Sequence, residues 1–250
     1  WGRTAGMESG AIGTWTSLSD PASAETAANA GFDFVVIDTE HAPSGLETVT
    51  DCVRAAENGG AETVVRTPWN DPVRIKRLLD IGPSGLLVPM VDTAEGAAAA
   101  VEAMRYPPDG IRGVAGARAT GYGRNFEEYV TETHRDVTLI PQLETETAVE
   151  NADSIAAVEG VDALFVGPAD LSASLGIVGQ FGHPDLHDAI DTVLSAGESA
   201  DVPVGTLGVD RDAIDALGAL DFDYLIAGTD VSHLRGGQTR SLSAAEDALR

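Results

Sequence analysis

The stretch FVVIDTEHAP (34–43) begins as an apolar run and ends with Asp38, Glu40 and His41. A histidine beside a carboxylate can be built into a general acid/base, because the carboxylate fixes the imidazole tautomer and raises its basicity. A lone loop histidine also serves as an ordinary polar residue. ETVVRT ends at Arg66, a group that suits either a structural ion pair or a clamp on an anionic, oxygen-rich ligand. QLET carries Gln142 and Glu144, and VGPAD brings Gly167, Ala169 and Asp170. Glu144 and Asp170, with open positions for water or substrate, suit a hard divalent cation such as Mg2+ or Mn2+. Helix capping and salt bridging are the commoner uses of such acids. Gly167-Pro168-Ala169 keeps backbone close to the same place, where N–H groups can hold a carboxylate. Glu40 has no assigned role; a pairing with Arg66 is the only partner suggested.

These residues need elements that bring them together. Eight short apolar runs recur, at 11–17, 33–38, 62–67, 85–91, 138–144, 163–168, 202–208 and 223–230. Helical patterns separate them, several closing on glycine, and Asp71-Pro72 reads as a cap followed by proline at the first helical position. Apolar strands alternating with helices form a parallel sheet covered on both faces. Eight such units predict a (β/α)8 TIM barrel, one domain over 1–250. An open doubly wound sheet would show a glycine-rich turn after its first strand, and none is present. The polar residues then fall at the C-terminal strand ends, where barrels of this kind build active sites. Trp15 ends the first strand, Asp38 the second and Arg66 the third. The segment 105–130, rich in glycine and arginine, reads as a long functional loop over one face.

The chain has 40 acidic and 15 basic residues, a net charge of −25 and a pI near 4.2. That field repels nucleic acid and anionic membranes, so neither is an expected partner. No apolar run approaches the ~20 residues of a membrane helix, and no signal-peptide pattern opens the sequence. Lys76 is the only lysine. A lysine-poor, acidic surface points to a cytoplasm with concentrated salt, where screening removes self-repulsion. The single cysteine, Cys52, excludes an internal disulfide and reads as a buried structural thiol. The histidines other than His41 read as surface residues of helices.

The segments VIDTEHAP, VVRTPWNDPVRIKRLLDIG, LLVPMV, RYPPDGIRGV, QLET and VGPADLSASLG together resemble the metal-dependent (class II) pyruvate aldolases. That family comprises the 4-hydroxy-2-oxoheptanedioate and 2-keto-3-deoxy sugar acid aldolases, and the resemblance runs from about Gly13 to about Asp230. It implies that Glu144 and Asp170 ligate a divalent metal (Mg2+, Mn2+ or Co2+) that chelates pyruvate or a 4-hydroxy-2-oxo acid. It further implies that Arg66 holds the keto oxygen and that His41, oriented by Asp38, is the acid/base. Gln142, Gly167 and Ala169 would line the pyruvate site, and Trp15 and Leu207 the aldehyde side. A homohexamer is implied, with Asp80 approaching a neighbour's His41–Asp38 pair. GVAGARATGYGR is shorter than the family's usual loop, which leaves the specificity lid open.

Independently, a Schiff-base aldolase needs an inward lysine at a strand end, and Lys76 lies in a helical pattern between Arg74 and Arg77. An enolate in this barrel would therefore need a metal as its electron sink. Two further readings remain: a lyase on a CoA thioester or an oxaloacetate decarboxylase using the same site, and a barrel that binds an oxo acid without turnover. A CoA enzyme would need a basic groove, for which the arginines of 105–124 are the candidates.

Overall fold

Successive side chains of a β-strand point to opposite faces. All eight apolar runs form strands in the structure, a computed structural model that describes residue 7 and residues 9–250. The strands are β1 (Ala11–Thr16), β2 (Phe34–Asp38), β3 (Glu62–Arg66), β4 (Gly85–Val88), β5 (Thr138–Leu143), β6 (Leu164–Val166), β7 (Val204–Gly208) and β8 (Tyr224–Thr229). Neighbours in sequence pair in parallel, and β1 closes on β8, giving the expected (β/α)8 barrel. The first half carries α1 (Pro21–Ala30), α2 (Leu46–Gly59), α3 (Pro72–Leu79), α4 (Ala94–Met104) and α5 (Phe126–Thr131). The second half carries α6 (Glu146–Glu150), α7 (Ala152–Ala156), α8 (Pro168–Ser174), α9 (Pro184–Ala200), α10 (Arg211–Leu217) and α11 (Asp230–Ala248). Asp71 caps α3 as expected, accepting from the N–H groups of Val73 and Arg74. The short α5 and α8 and the polar α11 carry no strong apolar period, and the sequence did not announce them. No residue of α11 is buried.

Strand alternation divides the apolar residues into two cores. Val35, Ile37, Val65, Leu86, Leu139 and Val166 face the helices. Trp15, Phe34, Val36, Val64, Leu87, Ile140, Phe165 and Tyr224 fill the barrel interior. Large rings fit inside because glycines stand opposite them. A Cβ on Gly13 would overlap the Phe34 ring, and one on Gly205 the Tyr224 ring. Those two rings meet edge to face, 6.0 Å between centroids. The parity that points Phe34 and Val36 inward carries Asp38 inward as well, and Arg66 follows Val64 in the same way.

The segment 105–130 departs from expectation. It contains a short 3-10 helix (Arg118–Thr120) and most of α5, and it packs on the barrel end opposite the strand C-termini. Arg112 Nη2 donates to Asp80 Oδ1 (3.1 Å), Arg118 Nη1 to the Ile81 carbonyl (2.8 Å) and Arg54 Nη2 to the Tyr122 hydroxyl (2.9 Å). Asp80 and Ile81 end α3, and Arg54 lies in the last two turns of α2, so the segment covers helix ends rather than its own mouth. His134, expected on the surface, is buried beneath it against Tyr106 (ring centroids 4.9 Å).

Overpacking an interior of this kind costs about 1 to 3 kcal/mol. Gly205→Ala should lower stability by at least that amount in urea unfolding. The loss should shrink in the Gly205→Ala/Tyr224→Leu double variant, where the ring that blocks the new methyl is gone.

Candidate active site

Asp38 and Arg66 are register partners at the ends of β2 and β3, and both are buried. Arg66 donates from Nε to Asp38 Oδ1 (2.9 Å) and from Nη2 to Oδ2 (2.7 Å), the bidentate geometry that only a guanidinium supplies. Its third nitrogen, Nη1, lies 2.8 Å from Glu40 Oε2, an ion pair set off the line of a hydrogen bond. The guanidinium carbon sits 4.6 Å from the Trp15 ring centre. Burial by itself pushes the Asp38 carboxyl up. The bonds and charge of Arg66, with the N–H groups of Glu40 and His41, outweigh it and hold the group below its usual value. Glu40 goes the other way: burial raises it, and Arg66 only partly offsets that.

On the facing strands, Glu144 follows β5 and is 2% exposed. One carboxylate oxygen accepts the Met90 N–H at 2.8 Å and the other accepts from Gln142 Nε2. Burial drives its carboxyl up to about 7, and the charges of Asp170 and Glu40 add to the push. Asp170, in the first turn of α8, is exposed at this edge. Gly167 gives Glu144 its room, since a Cβ there would lie 2.8 Å from Glu144 Oε2 and from Gln142 Nε2. Met90 holds its N–H in place from a left-handed conformation (φ 54°), which costs a non-glycine residue about 1 to 3 kcal/mol.

The charges of Glu40, Glu144 and Asp170 act on one another, and the Arg66 guanidinium is already shared between Asp38 and Glu40. Gln142 Oε1 is buried without a hydrogen-bond partner among the described residues. Uncompensated carboxylates together with an orphan amide oxygen suit a hard, oxygen-seeking cation. Among the described residues no group of three or more His, Cys, Asp and Glu side chains closes around a metal. Two protein carboxylates, Glu144 and Asp170, could hold such a cation, with substrate and water completing its shell, as Mg2+ commonly requires.

The HpcH/HpaI aldolase/citrate lyase family profile matches residues 11–235. The chain belongs to this family. A 5-keto-4-deoxy-D-glucarate aldolase from Shigella sonnei is 43% identical over 203 residues, covering 81% of this chain and 79% of that protein. The crystal structure of an HpcH/HpaI family protein from Burkholderia cenocepacia superposes with a TM-score of 0.90 at 38% identity, covering 96% and 95% of the two chains. The citrate synthase SbnG superposes with a TM-score of 0.83 at 28% identity, covering 97% and 95%. This HpcH/HpaI family member is accordingly a carbon–carbon lyase of the aldolase type, as the motifs implied.

Within the family frame, the structure rearranges the expected partners. Asp38 was expected to orient the His41 imidazole, yet its oxygens serve Arg66 and the backbone N–H groups of Glu40 (2.9 Å) and His41 (3.4 Å). The imidazole projects outward, 70% exposed, with Nε2 3.9 Å from Glu40 Oε1. Trp15, expected on the aldehyde side, is 5% exposed and supports Arg66 from below. Leu207 stays partly exposed beside the inner core. Asp80 binds Arg112 at the far end of the barrel, away from its own chain's His41. Met90 acts through its main chain and left no chemical signal in the sequence. Glu40 was visible, and its geometry was not.

Breaking a buried ion pair costs about 3 to 5 kcal/mol, and Glu40 still faces Arg66 when Asp38 is gone. Asp38→Asn should therefore lose about 3 kcal/mol in urea unfolding. A depressed native pKa gives stability that is complete above the unfolded value of 3.8 and fades as pH falls through the native one. The gap between wild type and variant should hold constant from pH 8 to 5.

Proposed function

We propose that this mouth reversibly cleaves 4-hydroxy-2-oxo acids to pyruvate and an aldehyde, with a divalent cation held by Glu144 and Asp170. The observation that carries this reading is that buried Glu144 feels the charges of Asp170 and Glu40, while Arg66 is already paired with Asp38 and Glu40. The Shigella relative is named for 5-keto-4-deoxy-D-glucarate, and we assign a sugar-acid-derived oxo acid of that kind as the substrate class.

When bound, the cation supplies a Lewis acid for the keto and carboxylate oxygens of the substrate. The protein residues do the remaining work. Arg66 keeps N–H groups that its two hydrogen bonds to Asp38 leave uncommitted, and these donate to the C2 oxygen. As the C3–C4 bond breaks, its electron pair shifts toward that oxygen, and the fixed guanidinium stabilises the charge without having to reorganise. His41 takes the proton of the C4 hydroxyl as the aldehyde forms, and a proton returned to C3 yields pyruvate. Gln142, Gly167 and Ala169 form the wall against which the pyruvate unit lies, and Leu207 faces the aldehyde portion. Lys76 sits on α3, where its stem reaches toward Gly113 of the far-end segment, so it does not supply an amine to the mouth.

The similarity to SbnG keeps a citrate-type reaction on the same site as a second reading. A CoA-thioester substrate is disfavoured because the candidate arginines of 105–124 lie at the opposite end, with Arg112 and Arg118 paired to Asp80 and Glu57. No helix of the described residues is long and apolar enough to cross a membrane. We further propose a homohexamer, a reading supported by the family resemblance, working in a salt-rich cytoplasm, which the net charge of −25 with a single lysine supports.

EDTA should abolish pyruvate release from 4-hydroxy-2-oxo acids in high-salt buffer, and Mg2+, Mn2+ or Co2+ should restore it. Asp170→Ala should lose about 100-fold or more, beyond the range typical of residues that merely support a ligand. Full activity of metal-free Asp170→Ala would contradict the proposal.

A further inference from the structure

We propose that Glu40 is the positioning residue of this mouth, bridging Arg66 to His41 and doing for the imidazole what Asp38 does not. This inference rests on the aldolase reading above. Glu40 follows β2 by two residues, and its side chain is 15% exposed. Asp38 Oδ1 accepts its backbone N–H at 2.9 Å, which turns the chain so that the Glu40 carboxylate comes back over Arg66. One oxygen then lies 2.8 Å from Arg66 Nη1, and the other lies 3.9 Å from His41 Nε2. The two groups assigned to the oxo acid and to the proton are thus tied to opposite oxygens of one carboxylate.

Two observations separate this role from a plain salt bridge. Arg66 is already satisfied by a bidentate partner, so a second carboxylate is not required to keep it charged. Glu40 Oε2 is also buried without a hydrogen bond, held beside a cation but off the line of its N–H groups. A carboxylate that gives up hydrogen bonding for such a position costs stability, and costs of this kind concentrate where function requires them. The Glu40 charge is also felt at Glu144, so Glu40 joins the acid/base side of the mouth to the carboxylate pair. Catalytic hydrogen bonds tighten in the complex with substrate, and the 3.9 Å between Glu40 Oε1 and His41 Nε2 is a separation that such tightening closes. Arg66 is held from below by the Trp15 ring and from the side by Asp38. Glu40 is the remaining contact that can orient the guanidinium toward the imidazole.

The test compares wild type with Glu40→Gln, His41→Asn and the double variant. His41→Asn should lose about 100-fold or more in kcat and Glu40→Gln about 10- to 100-fold, each with KM within about threefold, and the double variant should lose no more than the worse single. The kcat loss of Glu40→Gln should persist at saturating Mn2+, keeping the metal centre separate from the defect. In 15N spectra of the histidine side chains, the His41 signal, assigned by its absence in His41→Asn, should move in Glu40→Gln. Multiplicative losses in the double variant, or an unmoved His41 signal, would overturn the role of Glu40. If wild type releases no pyruvate with any metal, the aldolase reading fails instead, and the His41 signal alone then decides whether Glu40 holds the imidazole.

Discussion

The mouth of this barrel depends on one buried guanidinium. Arg66 stands among carboxylates at the ends of the strands, doubly bonded to Asp38, paired with Glu40 and stacked over Trp15. Its charge offsets two of the acids, and among the described residues no cation pairs with Glu144 or Asp170. A low-dielectric strand end strengthens paired charges and penalises unpaired ones. The same arrangement that fixes Arg66 leaves Glu144 and Asp170 to the proposed cation. Burial and neighbouring charge push the Glu144 carboxyl up to about 7.

The barrel puts this charge where it can act through strand parity. Phe34, Val36 and Asp38 point inward from one strand, Val64 and Arg66 from the next, and Ile140 and Gln142 from a third. Below them the interior is closed by rings fitted against Gly13 and Gly205. A solid floor keeps water from entering beneath the polar layer, and it leaves each polar side chain one direction in which to face. The loop that carries Met90 completes the layer with a main-chain donor held in a strained conformation.

All eight strands were legible in the sequence because each is apolar, short and bounded by turn residues. The grouping of Asp38, Arg66, Gln142, Glu144 and Asp170 was legible because strand ends of a parallel barrel converge. Partner choice was not. Asp38 precedes His41 by three residues, which suggests a pair, yet the register sets Asp38 directly beside Arg66 and a bidentate bond outcompetes the imidazole. The segment 105–130 follows a helix rather than a strand, which places it at the far end whatever its composition. His134 looked like a surface residue because the aromatic pocket that buries it forms only when that segment folds back over Tyr106.

The central claim is that this mouth stabilises the enolate of pyruvate through Arg66 and a cation held by Glu144 and Asp170. Exchange of the pyruvate methyl protons in D2O, followed by NMR without any aldehyde, tests it most directly. Exchange should be rapid with Mg2+ or Mn2+ present, absent after chelation, and strongly reduced in Arg66→Lys. Tight pyruvate binding without exchange, or exchange at the same rate in the metal-stripped protein, would contradict it.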